Sequence, residues 1–123
     1  MPERQTILVV DDDEVVLRYV SMTLKLSGYG VHQATSGDEG LRFFSEYGPA
    51  LSMVLTDVLM PGLSGPQMVE QILAADPGLP IVFMTGTAAE ANLPRKQSKT
   101  YQLIHKPFTP QKLLQLVRDC IDG

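Results

Sequence analysis

Three short apolar runs along the chain have the pattern of buried β-strands. They contain β-branched residues and occupy residues 7 to 10, 53 to 55 and 81 to 84. A strand in a parallel sheet is covered on both faces, so it reads as a continuous apolar run rather than as an alternation. Two shorter strands can come from residues 29 to 34 and 103 to 104. The pattern therefore predicts about five strands.

Segments with helical periodicity lie between these runs. Apolar residues recur at helical spacing after residue 13, which predicts a first helix that begins near Glu14 and stops at Gly28. A last helix is predicted after Thr109, with Pro110 at its first helical position. Its apolar positions at helical spacing are Leu113, Leu116, Val117 and Cys120.

Two middle helices are indicated by paired capping residues. Ser36 with Glu39, and Ser64 with Gln67, have the spacing of a capping box, in which each side chain accepts a hydrogen bond from the backbone of the other residue. Apolar residues at helical spacing follow both pairs. Two further helices are therefore expected there.

The segment from residue 88 to residue 100 has the weakest helical pattern. Pro94 interrupts the helix that the alanines before it favour, so a short or irregular fourth helix is expected. No internal repeat or Pro/Gly-rich linker divides the chain. The alternation of strands and helices predicts one α/β domain over residues 1 to 123, with a doubly wound five-stranded parallel sheet and about five helices.

Composition and charge narrow the functional classes. The 123 residues are 44% apolar and carry a formal net charge of −4 without a Lys/Arg run, so direct nucleic acid binding is not expected. No apolar run approaches the roughly 20 residues of a membrane helix, and the N-terminus shows no export signal. Cys120 is the single cysteine, which favours a reducing compartment, so a cytoplasmic location is expected.

Polar residues suited to phosphoryl chemistry follow the predicted strands. In open parallel sheets, ligands bind at the carboxyl ends of the strands, near the point where the strand order reverses. The residues at those ends are Asp11, Asp12 and Asp13 after the first strand, Asp57 after the third, Thr85 after the fourth and Lys106 after the last. Asp13 can equally be a helix N-cap. A site with carboxylates, a hydroxyl and an amine is therefore expected.

Grouped carboxylates favour a divalent cation. Two carboxylates about 4 Å apart repel each other by about 4 kcal/mol at an effective dielectric constant of about 20, and a cation relieves this repulsion. Oxygen ligands without Cys or His favour Mg²⁺ or Mn²⁺ and leave coordination positions for phosphate oxygens. A carboxylate can then act as a nucleophile, while a Lys ammonium neutralises the transferred group. Asp57 and Lys106 fit these two roles.

Four short motifs resemble the receiver domain of two-component response regulators. They are Val9-Val10-Asp11-Asp12, Asp57-Val58-Leu59-Met60-Pro61 with Gly65, Met84-Thr85-Gly86 and Lys106-Pro107-Phe108. The motifs occur in the order found in the family, each after a predicted strand, and the resemblance covers nearly the whole chain. It implies a flavodoxin-like receiver fold and a phosphorylation-dependent switch in a phosphorelay. Such a domain is not an enzyme beyond its own phosphorylation and dephosphorylation.

The resemblance also implies how the acidic residues act. Asp57 would accept the phosphoryl group from a phosphohistidine. Mg²⁺ would be bound by Asp12, Asp57 and the backbone carbonyl of Leu59, with Asp11 acting largely through water. The apolar side chain of Leu59, two residues after the acceptor, indicates slow self-hydrolysis of the phosphoryl group.

The response to phosphorylation is implied in the same way. Lys106, whose bond to Pro107 is typically cis in the family, would pair with the phosphate. The Thr85 hydroxyl and the backbone N–H groups of Val58 and Gly86 would hydrogen-bond the phosphoryl oxygens and draw in the loop after the fourth strand. The surface around the fourth helix, the last strand and the last helix would change.

The implied partners are a histidine kinase or histidine phosphotransfer domain, an unidentified output partner, and a second copy in a phosphorylation-dependent homodimer. One departure from the family pattern bears on the output. Family members usually carry an aromatic switch residue three positions before the lysine, where this chain has Leu103, with Tyr101 two residues earlier. In this respect the chain resembles receivers attached to hybrid histidine kinases.

Two other interpretations stay open. The run from Asp11 to Val15 also fits the Asp-x-Asp-x-Val pattern of haloacid-dehalogenase-like phosphatases, with Asp11 as the nucleophile and Thr85 and Lys106 in later motifs. That interpretation leaves Asp57 unexplained and lacks a later acidic motif. The other is a pseudo-receiver that binds partners without being phosphorylated, although the intact set of site residues argues against it.

Overall fold

The five predicted strands form one parallel sheet. The computed structural model describes residues 5 to 86 and 101 to 122, and the structural statements below refer to these residues. The strands are β1 (Thr6–Val10), β2 (Gly30–Ala34), β3 (Leu51–Asp57), β4 (Ile81–Thr85) and β5 (Tyr101–His105).

Four α-helices accompany the sheet within the described residues. They are α1 (Glu14–Leu26), α2 (Gly37–Tyr47), α3 (Gly65–Ala75) and α4 (Pro110–Asp122), and a 3₁₀ turn at Gly48–Ala50 follows α2. The further helix expected between residues 88 and 100 falls outside the described part of the chain. Over residues 5 to 86 and 101 to 122, no helix has the length and apolarity needed to cross a membrane.

The strand order reverses at β1. Across the sheet the order is β2-β1-β3-β4-β5, and every neighbouring pair is parallel. The chain therefore moves outward from β1 to β2 and then returns to β3 on the other side of β1. This reversal leaves a crevice at the carboxyl ends of β1 and β3, where ligands bind in doubly wound folds. The predicted fold class is confirmed.

Alternate residues of each strand pack against opposite helical layers. In β1, Leu8 and Val10 face α2 and α3, whereas Ile7 and Val9 face α1 and α4. All four side chains are fully buried because helices cover both faces of the sheet. The continuous apolar runs of the sequence thus serve two cores, one on each face.

Helix α1 begins and ends where the sequence predicts. The carboxylate of Asp13 accepts hydrogen bonds from the N–H groups of Val15 and Val16 at 3.0 and 3.4 Å, so Asp13 is the N-cap. After the last turn, Gly28 has a φ of 96°, in the left-handed region that glycine adopts without steric cost. These two residues set the direction in which α1 leaves β1 and returns to β2.

The two predicted capping boxes differ in the structure. At α3 the box is complete, since Gln67 N–H donates to Ser64 Oγ at 3.2 Å and Ser64 N–H donates to Gln67 Oε1 at 2.9 Å. At α2 only half of it forms. Glu39 N–H donates to Ser36 Oγ at 3.1 Å, but the Glu39 carboxylate accepts from the N–H of Thr35 at 2.6 Å. The Thr35 hydroxyl donates to the same oxygen, so the Glu39 side chain is held at Thr35, the residue before the N-cap.

Gly65 allows α3 to begin directly against the end of β3. A Cβ atom at this position would collide with the carbonyl oxygen of Asp57. The N–H of Gly65 also donates to the carbonyl of Val58 at 2.9 Å, which ties the start of α3 to the loop after β3. Because Gly65 has no side chain, the start of α3 can lie directly against the backbone of Asp57.

Candidate functional site

Three carboxylates meet at the carboxyl ends of β1 and β3. The register pairs Val10 of β1 with Thr56 of β3, so Asp11 and Asp57 follow at the same level. Asp11, Asp12 and Asp57 each offer a carboxylate oxygen, and these oxygens lie within 4.8 Å of one another. Asp11 is fully buried, whereas 15% of the Asp57 side chain is exposed.

Lys106 brings a positive charge to the three carboxylates. Its Nζ lies 3.4 Å from Oδ2 of Asp11 and 3.3 Å from Oδ1 of Asp57. The backbone N–H of Lys106 donates to the carbonyl of Thr85 at 2.9 Å, which holds this residue at the end of β4. Its peptide bond to Pro107 is cis, as the family resemblance implies. The side chain thus reaches from the edge strand β5, past β4, to the carboxylates of β1 and β3.

Backbone amides hold two of the carboxylates in place. The N–H of Asp13 donates to Oδ1 of Asp11, and the N–H of Val58 donates to Oδ1 of Asp57, both at 2.9 Å. The Thr56 hydroxyl donates to the backbone carbonyl of Asp57 at 2.9 Å. The orientations of Asp11 and Asp57 are therefore set by the fold itself.

Burial and nearby charges shift the pKa values of both Asp11 and Lys106. Burial raises the pKa of Asp11 from 3.8 to about 6, the charge of Asp57 adds to the rise, and the Asp13 amide and Lys106 only partly oppose it. Burial acts to lower the pKa of Lys106, but the charges of Asp11 and Asp57 outweigh it and raise that pKa. The ammonium is therefore stabilised, while the charged form of Asp11 is disfavoured.

The donor set fits a hard divalent cation. Asp11, Asp12 and Asp57 offer carboxylate oxygens, which Mg²⁺ prefers, and no His or Cys belongs to this cluster. The cluster holds three carboxylates, and the Lys106 ammonium lies beside two of them, so a bound cation would relieve the remaining repulsion. The residues present can therefore hold Mg²⁺.

Comparison with known proteins identifies the family. A family model for the response regulator receiver domain matches residues 7 to 118 of the chain. The chain is a receiver domain. Receiver domains are regulatory phosphoacceptors of two-component systems and act with histidine kinases or phosphotransfer partners. The family predicted from the resemblance is confirmed by this match.

Two much longer proteins are similar to this receiver over most of its length. It is 31% identical over 120 residues to the sensor kinase CckA of Brucella abortus (strain 2308), and this alignment covers 95% of the present chain and 12% of CckA. It is also 31% identical over 122 residues to the C4-dicarboxylate transport transcriptional regulatory protein DctD of Rhizobium meliloti (strain 1021). That alignment covers 96% of the present chain and 25% of DctD. The chain therefore spans a quarter or less of the length of these relatives.

A solved structure agrees with the fold. The crystal structure of a response regulator receiver domain protein from Clostridium thermocellum superimposes with a TM-score of 0.89 and 30% sequence identity. The match covers 96% of this chain and 94% of that one. The receiver therefore has the flavodoxin-like fold over nearly its whole length.

Two further predicted site residues lie at or just after the carboxyl ends of β4 and β3. Thr85 is buried at the end of β4, and its hydroxyl donates to the carbonyl of Gly86 at 2.8 Å. Leu59 follows Asp57 by two residues, and 51% of it is exposed. The structure thus brings Asp11, Asp12, Asp57 and Lys106 together, while the roles of Thr85 and of the Leu59 carbonyl stay predictions.

The region of the expected aromatic switch residue is apolar in this receiver. Tyr101 packs edge-on against Phe83, with ring centroids 5.3 Å apart. Leu103, two residues later on the same side of β5, is partly buried against the same core. Both residues therefore face the layer formed by α2 and α3.

One contact near the site could not be predicted from the sequence. The Tyr19 hydroxyl of α1 donates to the carbonyl of Phe108 at 3.1 Å, although the two residues are 89 positions apart. Their rings also approach, with centroids 6.1 Å apart. Local spacing cannot reveal a contact of this kind, because only the packing of α1 beside the loop after β5 creates it.

Proposed function

We propose that this receiver accepts a phosphoryl group from a phosphohistidine onto Asp57, in a step that requires Mg²⁺, and that it thereby acts as a signalling switch. The observation that carries this proposal is the ammonium of Lys106, which lies 3.4 and 3.3 Å from the carboxylates of Asp11 and Asp57. A cation held between two carboxylates at the sheet's switch point is suited to receive a dianionic phosphoryl group.

Asp57 is better placed than Asp11 to act as the acceptor. Asp11 is fully buried, and its two oxygens accept from Asp13 N–H and from Lys106. Asp57 is partly exposed, so an incoming donor can reach it. This difference argues against a phosphatase that uses Asp11 as its nucleophile. The complete set of charged residues argues against a pseudo-receiver.

The proposed transfer is an in-line displacement at phosphorus. An oxygen of Asp57 forms the new bond to phosphorus, and the bond to the histidine nitrogen breaks, so that the electron pair stays on the nitrogen, which takes up a proton. Lys106 neutralises charge on the transferred group. Asp12, Asp57 and the Leu59 carbonyl would hold Mg²⁺, with Asp11 acting through water. When bound, Mg²⁺ offsets charge on the phosphoryl oxygens.

The proposed response begins at Thr85. Its hydroxyl is engaged with the carbonyl of Gly86 at 2.8 Å, so it must exchange this bond to reach a phosphoryl oxygen on Asp57. The N–H groups of Val58 and Gly86 would bind other phosphoryl oxygens. The loop after β4 would then move toward Asp57, and the surface formed with β5 and α4 would change.

The proposed phosphodonor docks on α1. A stripe of large exposed apolar side chains runs along this helix and consists of Val15, Tyr19, Met22 and Leu26. We call it the α1 stripe. It begins three residues after Asp12, and its helical spacing suits the apolar face of a partner helix from a histidine kinase or phosphotransfer domain. A cytoplasmic location, a single domain over residues 1 to 123 and a phosphorylation-dependent homodimer complete the proposal.

The test is the intact mass of the protein after incubation with acetyl phosphate, with and without Mg²⁺. A single Mg²⁺-dependent phosphoryl adduct is expected in the wild type and should be lost in Asp57→Asn. An adduct that persists in Asp57→Asn but disappears in Asp11→Asn would support the phosphatase-like alternative. If the wild type forms no adduct under any of these conditions, the phosphoacceptor function is wrong.

A further inference from the structure

The loop that carries Lys106 is anchored at both of its ends. At its start, the N–H of Lys106 donates to the carbonyl of Thr85 at 2.9 Å. At its end, Thr109 caps α4, since its hydroxyl oxygen accepts from the N–H of Lys112 at 3.1 Å. Between these anchors lie Pro107 and Phe108. Their position decides how the Lys106 side chain is directed toward the carboxylates.

An open groove lies between this loop and α1. It has a volume of about 480 Å³ and is lined by Val16, Tyr19, Lys106, Pro107 and Phe108. Side chains that border a groove have packing partners on one side only. Packing alone therefore restrains this side of the loop less than the buried core is restrained.

Tyr19 joins the two sides of this groove. Its hydroxyl donates to the Phe108 carbonyl at 3.1 Å, and its ring lies beside the Phe108 ring at a centroid distance of 6.1 Å. Tyr19 belongs to α1, whose N-terminus follows directly after Asp11 and Asp12. The bridge therefore connects the helix that follows two of the carboxylates to the loop that presents the ammonium.

The ammonium itself is held loosely by its charged partners. Charge-assisted N–H···O bonds are usually about 2.7 to 2.9 Å long. In this site Lys106 Nζ lies 3.4 Å from Asp11 and 3.3 Å from Asp57, so these contacts attract the ammonium without fixing its position. The position of the ammonium therefore depends also on the contacts that hold the backbone of the loop.

We propose that Tyr19 is a positioning residue that holds the loop from Lys106 to Phe108 against α1 and so directs the Lys106 ammonium toward Asp57. Tyr19 does not touch the reacting atoms in this role and acts only through Lys106. The inference rests on the proposed phosphoacceptor function, and it adds to the site a residue of α1 that the family motifs do not include.

The test compares rates of phosphoryl uptake from acetyl phosphate in the presence of Mg²⁺. A small donor is used because it needs no docking surface on α1. Tyr19→Phe removes the hydroxyl and keeps the ring. Tyr47→Phe is the matched control, because 42% of Tyr47 and 38% of Tyr19 are exposed and Tyr47 lies on α2, on the opposite face of the sheet. Both changes are also made in a Lys106→Ala protein.

The expected result is that the effect of Tyr19→Phe on the uptake rate largely disappears when Lys106 is absent. Tyr19→Phe should slow uptake roughly 3- to 10-fold in the wild-type background and by less than about twofold in the Lys106→Ala background. Tyr47→Phe should leave the rate unchanged in both. A Tyr19→Phe rate equal to that of the wild type, or an equal slowing in both backgrounds, would overturn the proposal, since a purely structural role gives independent effects.

Nuclear magnetic resonance separates this proposal from the proposed function. The side-chain ¹³Cε signal of Lys106 and the amide signal of Phe108 should shift in Tyr19→Phe and not in Tyr47→Phe. If the wild type takes up no phosphoryl group but these signals shift, the phosphoacceptor function is wrong and the positioning of Lys106 by Tyr19 stands. If the signals do not shift, the positioning role is wrong whatever the uptake rates are.

Discussion

Asp11 is a fully buried carboxylate that faces the carboxylate of Asp57. Burial raises its pKa to about 6, which means that the folded protein disfavours its charged form. At neutral pH the group is nevertheless mostly ionised, so its charge lowers the stability of the fold. This expense of stability supports the proposed role of Asp11 in a cation site.

Removal of this charge is expected to stabilise the protein when no Mg²⁺ is present. Asp11→Asn keeps an oxygen that can accept the hydrogen bond from Asp13, so the gain at pH 7.5 in EDTA should be roughly 1 to 2 kcal/mol. Urea unfolding measures this gain. Glu46→Gln, which neutralises an exposed acid on α2, should change stability little. A destabilised Asp11→Asn would show that the carboxylate is needed for the fold.

Gly65 is expected to tolerate no side chain. In Gly65→Ala the Cβ would meet the Asp57 carbonyl oxygen, and backbone atoms cannot give way as a flexible side chain can. The variant should lose about 1 to 3 kcal/mol of stability, and thermal unfolding measures the loss. Gly78→Ala is the control, because a Cβ there has no atom within 4 Å. Equal stability of the two variants would contradict this account of Gly65.

Individual site residues differ in how far the sequence predicts them. Asp57 and Lys106 were predictable because strand ends in a parallel sheet share one edge, and the structure places their charged atoms 3.3 Å apart. The contact of Tyr19 with Phe108 was not, because it joins distant parts of the chain. The bond from the Thr85 hydroxyl to the Gly86 carbonyl is a side-chain orientation, which residue type alone does not set.

At the scale of the elements, α1 has two apolar faces with different uses. One face contributes Leu17, Val20 and Leu24 to the core shared with α4. The other is the α1 stripe, which stays exposed. A helix that needs only to pack against a sheet has one apolar face and a polar one. The second face therefore supports the proposed docking of a phosphodonor on α1.

A charge on the α1 stripe is expected to impair phosphoryl transfer from a protein donor but not from a small-molecule donor. Met22→Glu should slow transfer from a phosphorylated histidine phosphotransfer domain roughly tenfold, since burying the charge at the interface weakens docking. Uptake from acetyl phosphate should not change, and both rates are measured by intact mass. Ser45→Glu on α2 is the control. A Met22→Glu protein that accepts from both donors at wild-type rates would contradict docking on this stripe.

The helix starts show where element prediction succeeds and where it fails. Ser64 and Gln67 form the complete capping box that their spacing predicts. Ser36 and Glu39 have the same spacing, but Glu39 turns to Thr35, which offers both an N–H and a hydroxyl. Spacing therefore predicts that a helix begins, while competing donors nearby decide which hydrogen bonds form.

At the scale of the whole molecule, the acidic cluster links cation binding to stability. A cation that binds only the folded protein stabilises it by about 2.7 kcal/mol when its concentration is 100 times its dissociation constant. We expect Mg²⁺ to raise the free energy of unfolding of the wild type in this way, and EDTA to reverse the effect. Asp12→Asn should lose most of this gain without a large change in stability in EDTA, since Asp12 is exposed.

Urea unfolding across a Mg²⁺ titration measures this effect, with Asp38→Asn as a control at another exposed acid. The control should respond to Mg²⁺ as the wild type does. Equal stabilisation of Asp12→Asn and the wild type by Mg²⁺ would remove Asp12 from the cation site.

The sequence by itself determined the fold class, the strand positions and which charged residues meet at one edge of the sheet. It could do so because burial on both faces of a parallel sheet imposes continuous apolar runs, and because strand ends converge at one edge. Only the tertiary structure decided the burial of Asp11, the near contact of Asp57 with Gly65 and the bridge from Tyr19 to Phe108. These features depend on how helices seat against the sheet, a balance of many weak contacts between distant residues that no local pattern records.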